Sequence, residues 1–386
     1  MKILWGSPLP PTRSGVGDYA VELLGELGKN ARVRVLAPPE GVQRDLWTLG
    51  NGVEIVKTDT APEVDEVSLI HLGNNPHHAW LLDRLRGPKT VAVLHDLVLH
   101  HLLVEAADGD GVFLETGLRE AHGKAGTVLA RARRLGLAGS IDPFFFPARA
   151  AFMGSVKGVI VHSRWGERAM AREFPNLPRT RVGLAVGDPG KVVRAAERGR
   201  LGILPDELVL MHIGFLTPEK GLEHILTGVA AAKRMGLPVR LLLIGEGRGG
   251  EDVRNAAAAV GIESSVRTTG WVEPEAFPAI PAAADVGIVL RTPSAGETSA
   301  AAVRFMAAGT PVAVSGLRQF IEWPEEAAPR ITPGASAPAE LARLLANAHA
   351  GGKAWELRRR AARATYEENH RPADVARAIV AFLEDV

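Results

Sequence analysis

A chain of 386 residues is long for one domain and comfortable for two, and its 46% apolar content can fill two cores. A formal net charge of +1 and only two tyrosines argue against a nucleic-acid surface, which needs a basic face and stacking aromatics. The absence of cysteine excludes disulfides, thiolate metal sites and cysteine nucleophiles. No signal-peptide pattern precedes the first strand-like run and no stretch of about 18 apolar residues occurs, so a cytoplasmic protein without a membrane span is expected.

Apolar strand-like runs alternate with helical patterns twice along the chain. The first series places strands at Lys2–Gly6, Val33–Ala37, Val53–Val56, Ser68–Leu72, Thr90–Leu94 and Gly158–Val161, with helices such as Gly17–Leu27 and Arg164–Phe174 between them. The second places strands at Val209–Gly214, Arg240–Gly245, Ser265–Thr268, Val286–Leu290 and Pro311–Val314. Its helices are expected near Leu222–Met235, Glu251–Val260, Pro274–Ala283 and Ser299–Ala308. Such alternation predicts parallel α/β sheets with right-handed crossovers, hence two Rossmann-like domains joined near Gly183–Leu204. The segment Leu97–Met153 departs from it. It reads as helical, with Arg119, Lys124, Arg131, Arg133 and Arg134 on polar positions and Phe144, Phe145 and Phe146 ahead of Pro147. That segment is either a solvated helix with an aromatic plug in the core, or an acceptor-side wall or peripheral contact with a membrane surface.

Polar residues gather where strands end, the edge at which open α/β sheets bind ligands. After the first strand, Gly15, Val16 and Gly17 lie in a glycine-bearing turn whose N–H groups suit a phosphate, although the pattern is not that of a dinucleotide fold. The stretches IHLGNNPHH and VLHDLVLHH place Asn74, Asn75, His78, His95 and Asp96 at strand ends, where mixed donors and acceptors suit a sugar. A zinc site built from His95, Asp96 and His100 or His101 is the rival. No zinc-type spacing supports it, so no metal is expected. In the second series Lys220 precedes a helix after the strand ending at Gly214, where an ammonium can reach a diphosphate. Glu297, Thr298 and Ser299 open the helix after the strand ending near Arg291, either as an ordinary N-cap or as a site for an anionic ligand.

The order HD, GFLTPEKG, LLLIGEG, TGWV, LR-P-GETS and AAGTPV resembles that of family 4 glycosyltransferases, over nearly the whole chain and most strongly from Ile213 to Ser315. The resemblance implies a GT-B fold, with two Rossmann-like doubly wound domains facing across a cleft. An acceptor-side domain would span 1–187 and a donor domain 188–368, with a last helix at 369–386 returning to the first. It implies a retaining hexosyltransferase that moves a sugar from a nucleotide-diphosphate sugar, as co-substrate and without a tightly bound cofactor, to a hydroxyl acceptor, with cell-envelope or polysaccharide synthesis as the setting. Gly15 to Gly17 would face the donor phosphate and Lys220 would neutralise the diphosphate beyond Gly214. Gly270, Trp271 and Val272 would line the base. Glu297 would contact the sugar, and the Thr298 and Ser299 amides would lie near phosphate, with His95 or Asp96 assisting and Asn74, Asn75 and His78 on the acceptor side.

Two positions depart from the family pattern. Phe215 stands where an arginine is usual, and Arg304 where the second glutamate of a two-glutamate motif is usual. Arg291 is the expected replacement for the missing cation, and Arg304 is expected to face phosphate. Three alternatives stay open: a nucleotide-sugar epimerase of the same fold, a sugar phosphorylase carrying lysine-bound pyridoxal phosphate, and, allowed by the missing second glutamate, a non-catalytic nucleotide-sugar-binding protein.

Overall fold

The computed structural model describes residues 1–42, 50–247, 250–272 and 277–386. Its first sheet is made from β1 (Lys2–Gly6), β2 (Arg32–Leu36), β3 (Val53–Val56), β4 (Glu66–Leu72), β5 (Thr90–Leu94), β6 (Gly158–Val161) and β7 (Arg179–Arg181). The spatial order is β3-β2-β1-β4-β5-β6-β7 and every pairing is parallel. The second sheet contains β8 (Leu208–Ile213), β9 (Val239–Ile244), β10 (Val266–Gly270), β11 (Val286–Val289), β12 (Val312–Ser315) and β13 (Arg330–Ile331). Its order is β10-β9-β8-β11-β12-β13, again parallel throughout. Each sheet is doubly wound and its strand order reverses once, beside β1 and beside β8. The carboxyl ends flanking such a reversal form the ligand crevice of this class of fold.

Strands buried on both faces are apolar along most of their length. β5, Thr-Val-Ala-Val-Leu, is buried at all five residues. In β8 the alternation is visible within one strand. Val209, Met211 and Ile213 face one core with Phe305 and Tyr366, while Leu208 and Leu210 face the other with Ile225 and Leu341.

Contacts divide the chain into two compact units. The first comprises Met1–Ala185, Pro293–Thr298 and Pro372–Val386, and the second comprises Val186–Thr292 and Ser299–Arg371. The closing helix Pro372–Asp385 packs against the helix Gly15–Leu27 within the first unit. The loop Pro293–Thr298 also groups with the first unit, although it lies within the second series of elements.

Several elements differ from expectation. β7 and β13 had no apolar run to announce them, because each is a short strand at a sheet edge and is incompletely buried. The expected helix Pro274–Ala283 is a single 3-10 turn at Ile280–Ala283, and its start falls at residues outside those described. The helix expected from Ser299 begins at Ala300, with Ser299 as its cap. Of the three phenylalanines read as a core plug, Phe145 is exposed and Phe146 packs only at the edge of the core.

Gly287 in the middle of β11 shows how closely the second core is filled. A side-chain carbon there would stand 2.5 Å from the ring of Phe305. A Gly287→Ala variant is therefore expected to unfold at lower urea concentration, losing about 1–3 kcal/mol as overpacked cores do. An unchanged midpoint would show that Phe305 can move aside.

Candidate functional site

At the reversal of the second sheet, the chain leaves β8 through Gly214 and Phe215, and leaves β11 through Leu290 and Arg291. Three neighbouring strand ends carry glycines in the left-handed region: Gly214 at φ 114°, Gly245 at φ 127° and Gly270 at φ 69°. They are tied to one another. The Gly214 N–H donates to the Ile244 carbonyl at 2.9 Å and the Gly245 N–H to the Gly270 carbonyl at 3.0 Å. A side-chain carbon at Gly245 would stand 2.6 Å from the Gly214 carbonyl oxygen, so these backbones can approach only as glycines. The result is an edge of bare backbone, free of side chains where a ligand could lie.

Cations border this edge. The turn Pro218–Lys220 and the left-handed Gly221 direct Lys220 back toward the strand end, where its ammonium donates to the Phe215 carbonyl. A side-chain carbon at Gly214 would be 3.3 Å from Lys220 Nζ. The Arg291 N–H donates to Ser315 Oγ at 2.8 Å and its guanidinium to the Leu290 carbonyl at 2.9 Å. Both cations act on one buried reporter. His212 on β8 donates from Nδ1 to the Ile288 carbonyl at 3.1 Å, and its pKa is pushed down to about 3 by burial and then by Lys220 and Arg291. Phe215 and Trp271 stand exposed next to Gly214 and Gly270, while Val272 packs against the core. Arg304 is not presented as the sequence suggested: it is buried in the helix Ala300–Ala307, with its guanidinium over the Phe277 ring at 5.2 Å.

In the first unit, the strand-end histidines form a stacked cluster. His71 of β4 lies with its ring 4.0 Å from that of Trp5, and its Nδ1 shares a 2.9 Å hydrogen bond with His95 Nε2. His95, just beyond β5, packs against His162 at 5.0 Å and edge-on to Tyr19 at 4.9 Å. Burial holds all these imidazoles neutral. The pKa values of His71 and His95 lie well below 6.5, and those of His78 and His162 fall to about 4. His162 and Tyr19 were not among the expected site residues. The signal was present, since His162 follows β6 as His95 follows β5.

The polar residues beside this cluster have structural tasks. Asn74 Oδ1 accepts from the His101 N–H at 2.8 Å and its amide donates to His101 Nδ1 at 2.8 Å, at the start of the helix His100–Ala107. Asn75 Oδ1 accepts from the His77 N–H at 3.1 Å and caps the 3-10 helix Pro76–Arg86. His78 is fully buried and donates to the His71 carbonyl at 2.8 Å. The acceptor-side trio from the sequence is thus drawn into holding the turn. Asp96 accepts from the Asn74 N–H at 2.7 Å and stays half-buried at the strand end. His100 donates to the Phe146 carbonyl at 2.8 Å, and among the described residues no three metal-ligating side chains gather to hold an ion.

Gly15 and Gly17 lie in the first turn of the helix that Ser14 caps by accepting from the Val16 N–H at 3.2 Å, so they occupy a helix start rather than a free loop. In the loop Pro293–Thr298, the Ala295 carbonyl accepts from the Leu97 N–H at 2.8 Å and the Val98 N–H at 2.9 Å. Gly296, at φ 79°, allows that approach, because a side-chain carbon there would meet the Trp165 ring at 2.6 Å. Ser294 Oγ donates to Glu297 at 2.8 Å, and Glu297 and Thr298 precede the Ser299 cap.

Residues 207–349 match the family model described as glycosyl transferases group 1. The chain is similar to a 2-deoxystreptamine glucosyltransferase of Streptomyces kanamyceticus, 32% identical over 138 residues, covering 36% of this chain and 35% of the relative. It is also similar to a D-inositol 3-phosphate glycosyltransferase of Segniliparus rotundus, 31% identical over 196 residues, covering 45% and 42%. The chain therefore spans less than half the length of either curated relative. The Anabaena protein HepE, solved in complex with UDP-glucose, aligns over 100% of both chains at a TM-score of 0.68 and 17% identity. That likeness shows the fold, which is GT-B.

The neutral imidazoles make stability depend on pH. An unfolded histidine titrates near 6.5, whereas His78 and His162 titrate near 4 in the fold. Below pH 6.5 the unfolded chain binds more protons, so stability present at neutral pH is lost as pH falls toward 4. Urea midpoints should be lower at pH 5 than at pH 7.5. Equal midpoints would mean that the cluster is already protonated or open to water.

Proposed function

We propose, on the premise that residues 207–349 belong to the group 1 glycosyl transferases, that this protein is a retaining hexosyltransferase. It would move a sugar from a nucleotide-diphosphate donor to a hydroxyl acceptor. The observation that carries the reading is the pairing of Lys220 and Arg291 around the bare glycine edge where the second sheet reverses its strand order. UDP-glucose is the donor to test first, because HepE was solved with it.

In this reading the diphosphate lies over Gly214 and the start of the helix Leu222–Arg234, whose free N–H groups and positive dipole end favour an anion. Trp271 offers its exposed ring to the base. As the bond from the anomeric carbon to the diphosphate oxygen breaks, negative charge grows on the leaving group. Lys220 and Arg291 then bind it more strongly than they bind the ground state, which lowers the barrier. The acceptor hydroxyl attacks from the same face, its oxygen bonds to the anomeric carbon, and its proton passes to the departing phosphate oxygen. Free nucleoside diphosphate and a glycoside of retained configuration result. No enzymic base is needed, and His95 would be a weak one, since burial pulls its pKa well below 6.5 and its Nε2 is hydrogen-bonded to His71. Glu297 is assigned to the sugar hydroxyls, and His95 with Asp96 to the acceptor side.

Lys220→Ala and Arg291→Ala should each lower the rate of UDP release from UDP-glucose at least about tenfold, the worth of roughly 1.4 kcal/mol of transition-state binding, with unfolding midpoints preserved. Near-wild-type rates in both would remove the assignment. Binding of UDP without turnover across a broad acceptor panel would instead favour the non-catalytic alternative. A thermal-shift comparison of UDP, GDP, ADP and dTDP gives the donor class independently. The cognate nucleotide at 100 times its Kd stabilises by about 2.7 kcal/mol, and a shift with GDP rather than UDP would overturn the UDP assignment alone.

A further inference from the structure

We propose that His71 fixes the tautomer of His95, so that His95 offers an Nδ1–H donor to a hydroxyl oxygen of a sugar substrate just beyond β5. The substrate part rests on the glycosyltransferase reading above, whereas the tautomer does not. His71 lies inside β4 among Leu69, Ile70 and Leu72, and it is fully buried. An imidazole in such a place carries a desolvation cost that an aliphatic side chain avoids. Its contacts are specific. Its ring lies 4.0 Å from that of Trp5, inclined by 35°, and its Nδ1 is 2.9 Å from His95 Nε2. His95 is itself held in place, since its N–H donates to the Leu72 carbonyl at 2.9 Å and its ring meets Tyr19 edge-on.

Burial holds both imidazoles neutral. A neutral imidazole has one nitrogen that donates and one that accepts. Either His71 Nδ1–H donates to a bare His95 Nε2, or His95 Nε2–H donates to a bare His71 Nδ1. In the second arrangement the proton of His71 sits on Nε2, which is buried and has no hydrogen-bond partner among the described residues. An orphaned buried N–H is costly and rare, and a bare acceptor is better tolerated. Four other histidines make the same choice. Nε2 of His78, His100, His162 and His212 is also buried without a partner, and each of these residues has its Nδ1 on a backbone carbonyl. A carbonyl only accepts, so the proton is on Nδ1 and the orphaned nitrogen is the bare one. His71 fits this pattern, with His95 Nε2 in place of the carbonyl.

The consequence falls on His95. Its Nε2 is occupied as an acceptor, so its proton is on Nδ1, the ring nitrogen left for a ligand at a half-buried strand end. From there it can donate to a hydroxyl oxygen, and at that atom it cannot take a proton. This suits a transfer in which the departing phosphate receives the proton of the attacking hydroxyl. His71, being fully buried, touches no substrate and acts as a positioning residue.

The test uses the full chain labelled with nitrogen-15 histidine at neutral pH. Long-range proton–nitrogen spectra separate a ring nitrogen that carries a proton from a bare one, and loss of a signal in His95→Asn assigns it. His95 is expected with Nδ1 protonated and Nε2 bare. In His71→Phe, which keeps a ring on Trp5 but has no donor, that preference should be lost. UDP release from UDP-glucose should then slow by about tenfold, the worth of one hydrogen bond. His71→Asn, whose amide N–H can stand in for Nδ1–H, should restore both. A raised KM for UDP-glucose puts the contacted oxygen on the donor sugar, and a lowered kcat alone puts it on the attacking hydroxyl. The proposal is overturned if His95 carries its proton on Nε2, if its tautomer is unchanged in His71→Phe, or if that variant turns over as fast as wild type. A wild-type chain with the expected tautomer that releases no UDP overturns the glycosyltransferase reading and leaves the positioning role of His71 standing.

Discussion

Every strand in each sheet points the same way, and most of the chemistry of this protein follows from that. Parallel strands can be joined only through crossovers, the crossovers lay helices on both faces, and a strand covered on both faces is apolar along most of its length. Polar side chains are then few within the sheets, with His71 and His212 as buried exceptions, and collect where the strands end. His95, Asp96, Gly214, Gly245, Gly270 and Arg291 all occupy such ends. The reversal of strand order beside β1 and β8 spreads the following loops apart and leaves the edge accessible.

The two strand-end clusters solve opposite electrostatic problems. In the second unit, Lys220 and Arg291 lie at the edge, and the nearby buried His212 is kept neutral by burial and by their field. A neutral group there leaves their positive potential for an anion to neutralise. In the first unit, Trp5, Tyr19, His71, His95 and His162 pack ring against ring, and burial strips the imidazoles of charge. That cluster is hydrogen-bonding but uncharged.

The histidines of the first unit are of two kinds in the structure. His78, His100 and His162 each donate Nδ1 to a backbone carbonyl and act as fixed struts. His95 alone extends past a strand end while holding to another imidazole. Nothing in the spacing of the histidines separates these cases, because hydrogen bonds such as those from His100 to Phe146 and from His162 to Val182 cross loops of unrelated length.

The sequence by itself determined the architecture. Apolar runs of strand length alternating with helical patterns leave a parallel α/β arrangement as the economical solution, and the motif order from Ile213 to Ser315 resembles that of glycosyltransferases, whose group 1 model matches residues 207–349. It also marked Arg291, which directly follows an apolar run, and Lys220, which stands just before the helix that follows β8. Tertiary structure alone decided the rest. It turned Arg304 onto Phe277, spent Asn74 and Asn75 on capping, grouped Glu297 with the first unit and folded Gly111–Arg134 into a hairpin. Periodicity reports which face of an element is buried. The partner that a polar side chain finds depends on chain segments far away in sequence, and only packing brings them together.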